Sequence, residues 1–201
     1  MTVLVGRQAP DFNAAAILGD GQMVESFQLS EALKGRYGLV FFYPLDFTFV
    51  CPSELLALDR RIDQFKARQV EVIGVSIDSQ FTHQAWRHTP VNAGGIGPVR
   101  YTLVADIQHR ICQAYGVEHP EAGVALRAAF LIDRAGIVRA QVVNDLPIGR
   151  NIDELLRLSD ALQYHEAHGE VCPAGWKTGD NAMQPTTAGV AIFLTEYLEQ
   201  L

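Results

Sequence analysis

Residues 39–54 read LVFFYPLDFTFVCPSE. The first five, Leu39 to Tyr43, form a short apolar run of strand formers. Pro52 suits the first position of a helix, and Glu54 adds an acidic first turn. The stretch therefore predicts a strand that hands over to a helix, with Cys51 at the helix N-terminus. Backbone N–H groups and the positive end of the helix dipole point at a sulfur placed there. Such a setting favours thiolate over thiol, and the thiolate is the nucleophile. Taken alone, the placement fits either a reactive thiol or a buried, inert core cysteine.

Working outward, strand and helix alternate. Residues 53–67 read as one helix, with Leu55, Leu58, Ile62 and Phe65 three and four apart. Residues 70–77 read as a second buried strand, 79–88 as a helix that stops before Pro90, and 92–98 as a Gly- and Pro-containing loop. A short strand is expected at 101–104 and a helix at 107–115, stopped by Gly116. Residues 128–132 and 137–143 flank Asp133-Arg134-Ala135-Gly136, a turn sequence, and predict a β-hairpin. Residues 153–166 form a helix with Leu155, Leu158 and Leu162 on one face. Residues 169–187 read as an irregular arm, and 190–198 as a terminal helix. This order predicts an α/β fold, a mixed central sheet covered by helices.

Composition narrows the function. Hydrophobic residues make up 48% of the 201, enough for a full core. The net charge is −7 and no basic cluster stands out, which argues against nucleic acid as a partner. No run approaches the ~18 apolar residues of a membrane span. MTVLVGRQAPDF at the N-terminus lacks the order of a signal peptide, so a cytoplasmic location is expected. The three cysteines, Cys51, Cys112 and Cys172, are widely spaced, with no C-x-x-C pair and no zinc-finger spacing. The six histidines show no metal spacing either. Residue-level reading adds two neighbours for Cys51. Thr48 lies one helical turn before it, with a hydroxyl that both donates and accepts. Arg127 precedes the strand at 128–132 and can reach into a pocket. Alone, a threonine in such a turn is usually a backbone cap and an arginine there a surface ion pair.

In combination, Pro44-x-x-x-Thr48-x-x-Cys51 resembles the active-site signature of the peroxiredoxins. LRAAFLID (126–133), NDLPIGRNIDELLRL (144–158), GEVCPAGW (169–176), APDF (9–12) and FTHQAW (81–86) extend the resemblance from about residue 5 to the C-terminus. The likeness is to the typical two-cysteine class and its alkyl hydroperoxide reductase C subfamily.

The resemblance implies a thioredoxin-like peroxidase domain over 1–168 and a C-terminal arm with a terminal helix over 169–201. It implies a thiol-dependent peroxidase that reduces hydrogen peroxide and organic hydroperoxides, in antioxidant defence. Cys51 is then the peroxidatic cysteine. Cys172, on the arm, resolves its sulfenic acid as an intersubunit disulfide, so a homodimer is expected, assembled as a ring of five dimers. Thr48 and Arg127 would hold the peroxide oxygens, Pro44 would exclude solvent, and Glu54 with Arg150 would orient the arginine. A thioredoxin-type or flavoprotein reductase would donate electrons, with no cofactor and no metal. A second class of function for such a ring is a holdase chaperone when overoxidised. Cys112 has no role in that pattern and reads as a structural core cysteine. GGIG (94–97) and the Tyr197-Leu198 pair resemble, the pair incompletely, the features of overoxidation-prone members.

Overall fold

A computed structural model describes residues 3–200. Met1, Thr2 and Leu201, the outer ends of the two expected domains, lie outside the described residues. In chain order the elements are β1 (Asn13–Ile17), β2 (Met23–Gln28), α1 (Leu29–Ala32), β3 (Tyr37–Phe42), α2 (Cys51–Arg60), α3 (Ile62–Ala67), β4 (Val70–Ser76), α4 (Gln80–His88), β5 (Thr102–Ala105), α5 (Arg110–Ala114), β6 (Arg127–Ile132), β7 (Val138–Asn144), α6 (Ile152–His168) and α7 (Thr187–Tyr197), with 3-10 turns at Val91–Ala93 and Leu198–Gln200. Contacts divide the chain into two compact units between Ile152 and Asp153. The sequence suggested a boundary at 168/169; the contacts group nearly all of α6 with the arm.

In the first unit, seven strands form one sheet in the order β2-β1-β5-β4-β3-β6-β7. β3, β4 and β5 run parallel, and β6, β7, β1 and β2 are antiparallel to their neighbours. The mixed, thioredoxin-like sheet expected from the sequence is present. All six residues of β3 are buried, which explains their continuous apolar run in a central strand. Val40, Phe42, Ile73, Val75, Phe130 and Ile132 share one core with Phe12 and Tyr115. The Tyr115 ring lies 5.1 Å from Phe42 and 4.9 Å from Phe130, the second contact edge-on.

The β6–β7 hairpin turns where its sequence predicted. Asp133 Oδ1 accepts the backbone N–H groups of Ala135 and Ile137, and Gly136 supplies the required positive φ of 81°. Ser79 caps α4 by accepting the N–H of Thr82 at 3.1 Å.

Three local readings change. The helix starts at Cys51, as expected, but the single run read over 53–67 divides at Arg61, whose N–H bonds Leu58 O, three residues back, rather than the carbonyl four back. Leu55, Leu58, Ile62 and Phe65 remain buried across the break. The helix expected at 107–115 shortens to α5 because His109 adopts φ +59° and residues 106–109 form a turn. Asp106 caps α5 instead, accepting the N–H groups of Ile111 and Cys112 at 3.0 and 2.8 Å. The β1–β2 hairpin has no counterpart in the sequence reading. NAAAI lacks β-branched residues except at its end, and the pairing is interrupted between Ala14 and Ala16.

In the second unit, residues between α6 and α7 are irregular, as their composition predicted. Their one β-bridge joins Val171 and Met183. Trp176 is buried and donates Nε1–H to Asp180 O at 3.0 Å, while its carbonyl accepts from Arg157 Nη1 at 2.8 Å. α7 begins at Thr187, three residues before the expected start, because Thr186 caps it by accepting the N–H of Gly189. Among the described residues, no helix is long and apolar enough to cross a membrane.

Candidate active site

β3 ends at Phe42, and the chain then loops through residues 43–50 to the first turn of α2. Val50 is already helical, at φ −89° and ψ −35°, so the coil begins before Cys51. That curvature brings Thr48 back onto the sulfur: Oγ1 lies 2.9 Å from Cys51 Sγ and 2.9 Å from the carbonyl of Leu45. The hydroxyl has one proton. Given to Leu45, it leaves an oxygen lone pair to accept from a thiol; turned to Cys51, it stabilises a thiolate. Cys51 is fully buried, and Pro44 at the start of the loop is buried too.

Arg127 enters from the first residue of β6. Its Nη1 lies 3.3 Å from Cys51 Sγ and 2.8 Å from Glu54 Oε2, and its Nε bonds the carbonyl of Leu146 at 2.5 Å. One guanidinium nitrogen carries two N–H bonds, enough for both sulfur and carboxylate. Glu54, one turn into α2, is shared. Its Oε1 accepts from Arg150 N and Nε at 2.8 and 2.9 Å, and its Oε2 from Arg150 Nη2 at 3.0 Å. Arg150 Nη1 bonds the paired strand carbonyls of Phe42 and Ala128, and its guanidinium lies 3.3 Å from the centre of the Phe41 ring. The ends of β3 and β6 are thereby tied to the start of α2. Burial alone would raise the Glu54 pKa. The hydrogen bonds and charge of Arg150, then the charge of Arg127, outweigh it and hold the carboxyl below its ordinary value.

A second buried network supports the loop, and nothing in the sequence reading assigned it. Tyr43 donates its hydroxyl to Asp46 Oδ1 at 2.8 Å, and His83 Nδ1 lies 2.7 Å from Asp46 Oδ2. His83 Nε2 meets the Val104 carbonyl at 3.2 Å. Asp46 N donates to Asp78 Oδ2 at 2.8 Å. Burial, only partly offset by His83, raises the Asp46 pKa. Between these anchors, Phe47 adopts φ +54°, a strained conformation for a bulky residue, and its ring packs at a tilt against Trp86, with centroids 5.7 Å apart. His83 and Tyr43 stand far apart in sequence, and only their presence in strand- and helix-forming segments was legible.

The sequence brought Thr48, Cys51, Glu54, Arg127 and Arg150 forward as one set, and the fold gathers all five. Cys172 lies on the arm of the second unit, half-buried, with Sγ donating to the Ala161 carbonyl at 3.6 Å. Burial raises its pKa, the charge of Arg157 opposes this, and Glu170 adds to it. Cys112 is 1% exposed within the core. Burial, reinforced by the charge of Asp106, pushes its thiol up to about 12, so it stays protonated at neutral pH.

Comparison with known proteins gives the family. Residues 5–141 match the AhpC/TSA family, and residues 161–200 match the C-terminal domain of 1-Cys peroxiredoxin. The chain is 53% identical over 194 residues to alkyl hydroperoxide reductase C of Helicobacter pylori, covering 96% of this chain and 98% of that protein. It is 49% identical over 194 residues to alkyl hydroperoxide reductase C of Buchnera aphidicola, covering 96% and 98%. The reduced 2-Cys peroxiredoxin of Plasmodium vivax superposes with a TM-score of 0.93 at 47% identity, covering 96% of this chain and 100% of that one.

Proposed function

The chain belongs to the AhpC/TSA family and is a thiol-dependent peroxidase; we propose that Cys51 is its peroxidatic nucleophile and Cys172 its resolving thiol. The observation that carries this reading is the convergence of Thr48 Oγ1 and Arg127 Nη1 on Cys51 Sγ, at 2.9 and 3.3 Å. The Cys51 thiolate attacks the terminal oxygen of a peroxide. An S–O bond forms, the O–O bond breaks, and the leaving oxygen takes a proton to depart as water or an alcohol. Cys51 becomes a sulfenic acid. Thr48 and Arg127 donate to the two peroxide oxygens. Their bonds strengthen as charge builds on the leaving oxygen, so they act on the transition state. Pro44 keeps water from the sulfur. Glu54 and Arg150 are positioning residues: they hold Arg127 without touching peroxide.

Cys172 of the partner subunit then attacks the sulfenic sulfur, forming a disulfide and releasing water. The first turn of α2 unwinds to let the two sulfurs reach bonding distance. A thioredoxin-type protein or a flavoprotein disulfide reductase supplies the two electrons that restore both thiols. The working unit is a homodimer, assembled as a ring of five. The exposure of Phe49 (98%) and Ile148 (58%) supports burial of these side chains between subunits. A reducing compartment such as the cytoplasm suits three free cysteines.

The test is a non-reducing gel after one equivalent of hydrogen peroxide, with cross-linked peptides read by mass spectrometry. A dimer joined Cys51 to Cys172 is expected, absent in Cys51→Ser, which also loses turnover while remaining folded. A monomer with oxidised Cys51 and free Cys172 would remove the resolving role.

A further inference from the structure

Three metal-ligating side chains unused by the peroxidase chemistry meet around α5. His109 immediately precedes that helix, Cys112 lies within it, and Glu118 follows the turn at Gly116. One ligand atom from each lies within 4.8 Å of the other two. His109 Nδ1 is 2.6 Å from Glu118 Oε1, and Glu118 Oε2 accepts from Gln113 Nε2 at 2.9 Å. The Cys112 thiol donates to the His109 carbonyl at 3.3 Å. The backbone under this group is fixed by Asp106, which caps α5, and by the bridge between Glu118 and Ala125.

The donors are imidazole nitrogen, sulfur and carboxylate oxygen. That mixture matches zinc, a borderline-soft ion that accepts all three. Bonds of about 2.0–2.3 Å place tetrahedral ligand atoms roughly 3.5 Å apart. The observed spacings bracket that value: His109 Nδ1 and Glu118 Oε1, at 2.6 Å, have to part, and no pair within the group exceeds 4.8 Å. His109 and Glu118 are 27% and 29% exposed and form the entrance, with Cys112 at the floor.

We propose that His109, Cys112 and Glu118 form a binding site for one zinc-class divalent cation, with water as the fourth ligand. The ion replaces the Cys112 thiol proton: the S–H bond breaks, a metal–sulfur bond forms, and the proton goes to solvent. No electrons move. The His109–Glu118 contact is exchanged for two metal bonds, and the residue before α5 becomes tied to the segment after it. Sequence spacing concealed the site because Glu118 joins the other two only through the turn at Gly116.

The test uses the full chain carrying Cys51→Ser and Cys172→Ser, so that Cys112 is the sole thiol. Cobalt(II) is titrated anaerobically and thiolate-to-metal charge-transfer absorption is read. Absorption that saturates at one equivalent and disappears on adding zinc is expected. Adding Cys112→Ser, a near-isosteric change checked for folding by circular dichroism, abolishes it. His109→Ala and Glu118→Gln each weaken apparent affinity at least tenfold. Absence of the band in excess cobalt overturns the site. So does a band whose affinity ignores His109→Ala and Glu118→Gln, since a lone thiol would then be responsible.

Discussion

The hydroxyl of Thr48 lies 2.9 Å from the sulfur of Cys51, across the single turn that precedes α2. In the proposed reaction it serves as a donor to charge that develops only as the O–O bond breaks. Thr48→Val keeps the shape and removes the donor. Loss of one such preorganised donor costs about 10²–10³ in rate, so kcat/KM for hydrogen peroxide is expected to fall by that order. Thr48→Ser should restore most of it. A Thr48→Val enzyme with unchanged kcat/KM in stopped-flow assays would remove the residue from the transition state.

Glu54 holds two guanidinium groups in a buried site. Glu54→Gln leaves them without a counter-charge, and breaking such a buried pair typically costs about 3–5 kcal/mol. Denaturant unfolding should show a loss of that order, and peroxide turnover should fall as Arg127 loses its support.

The same carboxyl makes stability depend on pH. Its folded pKa is depressed below the ordinary value of 4.5. The unfolded chain therefore takes up a proton first as pH falls. The stabilisation is fully present above about 4.5 and is lost as pH drops through the folded value. Thermal unfolding between neutral pH and pH 3 should show a shallower acid-side decline in Glu54→Gln than in the parent. Parallel curves would mean that other carboxyls dominate.

Tyr43 gives Asp46 one of its buried hydrogen bonds. Tyr43→Phe leaves that carboxylate oxygen short of a donor, at a cost of about 1–3 kcal/mol. In a chain of this size each kcal/mol moves the melting midpoint by about 2–4 °C. The loop 43–50 should loosen with it, read as faster amide exchange at Asp46 and Phe47 than in the parent. Unaltered exchange there would separate the network from the loop.

Cys112 should resist alkylation in the folded protein at neutral pH, because its thiol is buried and pushed up to about 12. Iodoacetamide with peptide mapping should label Cys172 first and Cys112 only after denaturation. Cys112→Ser should leave peroxide turnover within about twofold, as befits a residue outside the catalytic set.

The sequence by itself pointed to the core strands and to the residues that the fold gathers around Cys51. β3 and β4 are legible because central parallel strands are predominantly apolar, β4 being broken only by Glu71 before its terminal Ser76, and the β6–β7 hairpin because Asp133 and Gly136 form a turn sequence. Cys51, Thr48 and Glu54 are local: a strand end, a loop and a first helical turn place them within a few residues of one another. Arg127 is legible as a charge entering the strand at 128–132, Arg150 only through resemblance, and nothing in their spacing says that one carboxylate joins them. Tertiary structure alone decided the rest. β1 and β2 carry weak strand propensity, and β1 is held by pairing with β5 on its other side. Asp46 and His83 lie on separate segments that meet only when α4 docks near β1 and β5. A buried polar group is stabilised by partners that the fold delivers from a distance, and a linear pattern of apolar and polar residues does not encode which partner arrives.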